Sequence, residues 1–172
     1  SYKNGVLALN VDLRNHRPAA TNLTLVYELL DAQGKVVASE EKTTYVPTNE
    51  TRTLSFDKNL ADVRTWTSEQ PNLYKLMMTV KEDGKVNEII PFNVGFRRIE
   101  IKPIDRKAAN GKPYVCLFIN GQPLKMKGVN IHEHNPETGH YVTEELMRRD
   151  LELMKQHNLN SVQIGRASCR ER

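Results

Sequence analysis

Through roughly the first hundred positions, apolar and polar residues alternate in short runs broken by turn residues. Residues 5–13 alternate from Val6 onward, the period-two signature of a half-buried strand. Residues 23–30 repeat it at Leu23, Leu25 and Tyr27, and Asp31-Ala32-Gln33-Gly34 turns the chain into residues 35–38, which predicts a hairpin. Residues 51–56 form a further short alternating run. Residues 73–80 and 86–96 flank Glu82-Asp83-Gly84-Lys85, a second hairpin whose glycine is placed for positive φ.

About seven short strands separated by turns predict an all-β immunoglobulin-like sandwich. A single sheet would leave one apolar face in water, whereas two sheets face to face bury both inner faces. After Lys102 the pattern changes. Residues 103–112 are polar and contain Asn110-Gly111, which predicts a linker or turn. Residues 114–119, the turn Asn120-Gly121-Gln122-Pro123 and residues 124–126 predict a small hairpin, followed by a short strand over 127–131.

Residues 143–156 predict a helix. Thr143 can cap it, since its hydroxyl can accept from an unpaired first-turn amide, and Glu144 and Glu145 suit the positive end of the dipole. Met147, Leu151 and Met154, with Leu146 and Leu153 alongside, form one apolar stripe. Glu144–Arg148 and Glu145–Arg149 are spaced to pair on the wet face. Lys155 and His157 lie near the negative end, and Asn158 can take the left-handed stop. Residues 159–162 read as the next strand, so strand, helix, strand opens an α/β repeat.

Composition excludes several classes. The chain has 172 residues and a net charge of +4, of which Arg166, Arg170 and Arg172 against Glu171 supply +2. The other charges are interspersed, with no basic patch or aromatic platform, so no nucleic-acid partner is expected. No apolar run approaches the roughly 20 residues that span a bilayer, so no membrane partner is expected either. The chain begins at Ser1 rather than Met, so the lack of a leader carries no information about export, and localisation stays open. Cys116 and Cys169 are the only cysteines, too few for a disulfide framework or a metal-spaced set. Cys116, between Val115 and Leu117, reads as a buried inert thiol.

Two blocks go beyond fold class. One is Trp66-Thr67-Ser68-Glu69-Gln70-Pro71-Asn72-Leu73-Tyr74 with Val94-Gly95-Phe96-Arg97-Arg98-Ile99-Glu100-Ile101. The other runs from Ile119-Asn120-Gly121-Gln122-Pro123 through Gly128-Val129-Asn130-Ile131-His132-Glu133-His134-Asn135-Pro136 to Leu153-Met154-Lys155-Gln156 and Asn158-Leu159-Asn160-Ser161-Val162. In order and spacing these resemble the family-two glycoside hydrolases, and among them the β-galactosidases. The resemblance implies an internal fragment. Residues 1–102 would be the immunoglobulin-like domain, 103–112 a linker, and 113–162 the first β/α unit of an incomplete (β/α)₈ TIM barrel. It further implies a retaining enzyme acting on terminal non-reducing β-D-galactose of β-galactosides. Both catalytic glutamates and the ligands of a divalent cation (Mg²⁺ or Ca²⁺) would lie beyond residue 172, so this chain holds no catalytic residue, no metal ligand and no cofactor. The fragment is therefore expected to be inactive.

The resemblance places His132, after the first barrel strand, in the sugar pocket as a substrate-binding residue; Ile131 stands where many relatives have a basic residue. His132 and His134 could chelate a metal by spacing, but no third ligand is near in sequence. Glu133 is one carboxylate where retention needs two. Trp66, Leu73 and Tyr74 read as core and corner residues rather than a sugar platform. Asn22-Leu23-Thr24 and Asn49-Glu50-Thr51 match the glycosylation pattern, read as coincidence. Residues 163–172 break the resemblance and read like translated sequencing-adapter DNA, so native sequence is expected to stop at Val162. The alternative to an enzyme is a non-catalytic immunoglobulin-like carbohydrate-binding or assembly module. β-Glucuronidase and β-mannosidase activities also stay open, as does oligomerisation.

Overall fold

The computed structural model describes residues 2–132 and 134–164. The chain divides into two compact units between Gln122 and Pro123. The first holds β1 (Gly5–Arg14), β2 (Thr21–Leu30), β3 (Val36–Val46), β4 (Thr51–Leu60), β5 (Tyr74–Glu82), β6 (Lys85–Val94), β7 (Ile99–Lys107) and β8 (Pro113–Ile119). β9 (Gln122–Leu124) lies at the division. The second holds β10 (Gly128–Ile131), α1 (Glu144–Gln156) and β11 (Ser161–Ile164).

β1 pairs with β4, and β3-β2-β5-β6 form a separate four-stranded sheet. The alternation read from sequence is what joins them. In β2, Leu23, Leu25, Tyr27 and Leu29 are buried; in β5, Tyr74, Leu76, Met78 and Val80 are buried. The register sets Leu25 opposite Val80, Tyr27 opposite Met78 and Leu29 opposite Leu76, so both strands present their apolar sides together. Leu7 and Leu13 of β1 and Phe56 of β4 belong to the same core. Tyr27 (0% exposed) meets Phe56 (2% exposed) edge to face, centroids 5.2 Å apart. The Tyr27 hydroxyl is buried without a hydrogen-bond partner, and burial, then the Glu40 charge, raises its pKa. In the hairpin between β5 and β6, Asp83 (φ 48°) and Gly84 (φ 75°) both take left-handed backbone, the demand of a two-residue hairpin turn.

Several expectations are corrected. β3 runs to Val46 and β4 to Leu60, well past the alternating stretches that announced them. Residues 103–112 do not form a free linker: Ile99–Lys107 is a strand, paired antiparallel with β8, and only the remainder turns. Pro103 interrupts the pattern in sequence, yet it sits opposite Val115 in that ladder. Leu73 is 44% exposed, no core residue, whereas Tyr74 is buried and Trp66 half-buried. Cys116 is half-buried and free rather than enclosed. Gln163 and Ile164, expected to open a foreign tail, extend β11; the rest of that tail, with Cys169, lies outside the described residues.

β7 is fastened to the chain's start by charge. Glu100 accepts from the Tyr2 hydroxyl at 2.9 Å and pairs with Lys102 and Arg98, each at 2.9 Å. The Lys102 and Tyr2 hydrogen bonds hold the Glu100 carboxyl below the usual glutamate range, and Glu100 in turn raises Lys102. Glu100's contribution is therefore present above the ordinary glutamate pKa and lost as pH falls through its lowered value. That of Lys102 is lost as pH rises through its raised value. In acid denaturation followed by tryptophan fluorescence, Glu100→Gln is expected to flatten the stability profile on the acid side; an unchanged slope would refute the clamp. Tyr27→Phe removes an unsatisfied buried hydroxyl, so it is expected to stabilise by about 1–3 kcal/mol. A lower urea midpoint than the parent chain would contradict this.

Candidate sugar-contact site

β10 and β11 run parallel, with Gly128 opposite Ser161, Val129 opposite Val162, Asn130 opposite Gln163 and Ile131 opposite Ile164. Parallel strands need a crossover, and α1 supplies it. Thr143 caps α1 as expected, its hydroxyl accepting from the Leu146 amide at 3.3 Å. At the other end Asn158 takes φ 58°. The Leu159 amide bonds the Met154 carbonyl (2.9 Å) and the Asn158 amide bonds that of Lys155 (3.0 Å), the paired closure of a Schellman motif. Glu144 and Arg148 pair at 3.1 Å. Leu146, Met147, Leu151 and Met154 line a cavity of about 280 Å³ with Ile131 and Ile164 of the strands. Leu153, expected alongside that stripe, does not line the cavity, and the stripe itself is half-exposed, with Leu151 53% and Leu153 44% exposed.

His132 is the first residue beyond β10, exposed, on the rim of that cavity. It thus stands at the carboxyl end of a parallel strand, the end at which barrel sites form. The segment that follows braces itself. Asn135 and Gly139 exchange backbone hydrogen bonds at 2.8 Å, and the Asn135 carboxamide oxygen accepts from the amides of Glu137 (2.8 Å) and Thr138 (3.2 Å). The exposed His134 ring meets His140 edge to face at 5.2 Å. Glu133 lies outside the described residues. Among the described residues no three His, Cys, Asp or Glu side chains gather as a metal site would require.

Sequence reasoning missed what Asn160 does. Its carboxamide accepts from the Lys127 amide (2.8 Å) and donates to the Lys125 carbonyl (3.0 Å), while its own amide bonds the Lys127 carbonyl (3.0 Å). One side chain thus fixes the starts of both parallel strands, and through β10 the position of His132. Its place in the Asn158-Leu159-Asn160 block was visible; its partners, some 35 residues away, were not.

A β-rich unit is thus followed by a parallel strand–helix–strand unit, the start of an α/β pattern. The profile of glycosyl hydrolases family 2 matches residues 1–97, and that of the family's TIM barrel domain matches residues 114–167. The chain belongs to glycosyl hydrolase family 2. It is 34% identical over 166 residues to a β-galactosidase of Halalkalibacterium halodurans, covering 96% of this chain and 15% of that protein. It is 37% identical over 142 residues to one of Pectobacterium atrosepticum, covering 82% and 12%. Of the Streptococcus thermophilus β-galactosidase, 42% identical over 103 residues and 60% of this chain, it covers 9%. The chain therefore spans only about a tenth to a seventh of these relatives. Its fold matches a putative β-galactosidase from Bacteroides fragilis with a TM-score of 0.83 at 22% identity, over 99% of this chain and 24% of that one. It matches a Bacteroides uniformis β-glucuronidase with 0.80 at 23%, over 96% and 19%.

Asn160→Ala would leave the Lys127 amide and Lys125 carbonyl without partners. Both bonds are at exposed residues, so the loss is expected to destabilise the β10–β11 pair by about 0.5–1.5 kcal/mol per bond. Hydrogen exchange at Val129 and Ile131 reads this out, and unaltered protection there would refute the anchoring role.

Proposed function

We propose that this chain is part of a retaining glycoside hydrolase that removes terminal non-reducing β-D-galactose from β-galactosides, with His132 contacting the sugar. The observation that carries the reading is the exposed imidazole at the carboxyl end of β10, within a sequence 34% identical over 166 residues to a β-galactosidase. β1 to β6 fit an immunoglobulin-like domain, and β10, α1 and β11 the opening of the barrel.

Retention requires one carboxylic acid to protonate the leaving oxygen while a carboxylate about 5 Å away attacks the anomeric carbon. An imidazole does neither here. Its N–H can donate to a sugar hydroxyl, and it accelerates the reaction only insofar as that bond strengthens as the ring flattens toward the oxocarbenium ion. The chain by itself is expected to be inactive. The divalent cation the family resemblance implies finds no donor trio among the described residues, so no step runs through it.

The test is the whole gene, assayed against nitrophenyl β-galactoside, β-glucuronide and β-mannoside. The galactoside is expected to be the preferred substrate, and preference for either other sugar overturns the assignment. In that full-length enzyme, His132→Ala is expected to lower kcat/KM by about 2- to 10-fold, the worth of one neutral hydrogen bond. Unchanged kcat/KM would remove His132 from the pocket. Galactoside binding by the isolated 172-residue chain that survives His132→Ala would favour a non-catalytic carbohydrate-binding module.

A further inference from the structure

Asn-Gly occurs three times in this chain, at Asn4-Gly5, Asn110-Gly111 and Asn120-Gly121. We propose that Asn110 is a site of spontaneous deamidation and that the fold protects the other two. The Gly111 main-chain nitrogen attacks Cγ of Asn110, forming a C–N bond and expelling the side-chain nitrogen as ammonia. Water then opens the resulting succinimide at one of its two carbonyls, leaving aspartate or isoaspartate. Nothing is oxidised or reduced; water is consumed and ammonia released.

Cyclisation requires the asparagine side chain to swing onto the next backbone nitrogen and the peptide between them to rotate. A glycine on the far side offers no Cβ to resist, so the intrinsic chemistry is similar at all three sites. Their surroundings differ. The Asn120 carboxamide is fixed at both ends, donating to the Trp66 carbonyl (3.0 Å) and accepting from the Arg98 amide (2.9 Å). Its own amide bonds the Arg98 carbonyl at 2.8 Å. The Tyr2 ring occupies the space where a side chain on Gly121 would lie. Closing a ring there means breaking contacts to residues far away in the chain and lifting Tyr2 off.

At the second protected site Gly5 is buried and paired with Leu60, with the Phe96 ring filling the space where a side chain on Gly5 would lie. Lys3, just before Asn4, accepts from the Val63 amide at 2.8 Å, so the peptide is held on both sides. Asn110 and Gly111 are both exposed, and nothing lies within 4 Å of where a Gly111 Cβ would be. Among the described residues, Asn110 bonds only within its own turn, accepting from the Lys112 amide at 3.1 Å. The Gly111 amide bonds the Ala108 carbonyl at 2.9 Å. Opening that turn disturbs no residue outside 108–112, and local openings of this kind cost far less than global unfolding. The product carries a new carboxylate between Lys107 and Lys112 and, as isoaspartate, an extra methylene in the backbone.

The test is peptide mapping by mass spectrometry of the folded 172-residue chain aged in mildly alkaline buffer, beside a urea-denatured aliquot. Relative to their rates when denatured, Asn110 is expected to convert on the order of tenfold faster than Asn4 or Asn120, the factor produced by a difference of about 1.4 kcal/mol in opening free energy. Asn110→Gln is expected to remove the accumulating acidic form seen by ion exchange. The proposal is overturned if Asn4 or Asn120 keeps pace in the folded chain. It is equally overturned if Asn110 stays intact over an interval in which the denatured aliquot converts.

Discussion

The first unit depends on Tyr27 of β2 meeting Phe56 of β4 edge to face, because those strands belong to sheets that share no ladder. Leu7 and Leu13 of β1 join it in the same core, and the Lys42 ammonium of β3 bonds the Ser55 carbonyl of β4, so the aromatic pair sits among further ties between the two sheets. The requirement propagates outward. Tyr27 points inward only if Leu25 and Leu29 do too, and a one-residue slip of β2 would turn all three into water. The pairing of β2 with both β3 and β5 prevents that slip. The cost is an unpartnered phenolic hydroxyl, which a phenylalanine here would avoid while keeping the ring contact.

Local chemistry made some of this legible and hid the rest. The Asp83-Gly84 turn and the helix with Thr143 before it and Asn158 after it are specified by residues adjacent in sequence, so pattern reading reached them. β3 was read too short because its middle, Ser39-Glu40-Glu41-Lys42-Thr43-Thr44, has no apolar alternation. It is a sheet edge, and charged residues there deter further pairing rather than fill a core. β7 was hidden for a different reason: Ile99 and Ile101 are 57% and 74% exposed, so the strand lacks a buried face, and its proline falls within the ladder. In the candidate site, His132 was legible because a motif carried it, whereas the work of Asn160 rests on hydrogen bonds to residues 125 and 127 that no periodicity encodes.

The second unit shows how little structure is needed to place a side chain. A four-residue parallel ladder is short, and a two-stranded sheet is marginal alone. Its order comes from connections that close on themselves: the Schellman end of α1 leads directly into Asn160, which ties back to Lys125 and Lys127, and the strand so fixed ends at His132. Beyond it the Asn135–Gly139 closure limits the backbone that follows. The Schellman and Asn135–Gly139 links are local in sequence, and only the Asn160 bonds reach back across the helix to residues 125 and 127, so losing those loosens the rest.

That chain of constraints also decides what an imidazole at this position can contribute. A group that binds substrate and transition state equally lowers KM without speeding the chemical step. To do more, His132 must meet the sugar at a distance that improves as the ring distorts, and a misplacement on the order of 1 Å can cost about a hundredfold in rate. Its own side chain is exposed, so little neighbouring packing sets its position. The precision must come from the backbone: from Asn160 at one end of β10 and from the Asn135–Gly139 closure on the other side. For the contact proposed for His132, Asn160 and the Asn135–Gly139 closure are therefore positioning elements.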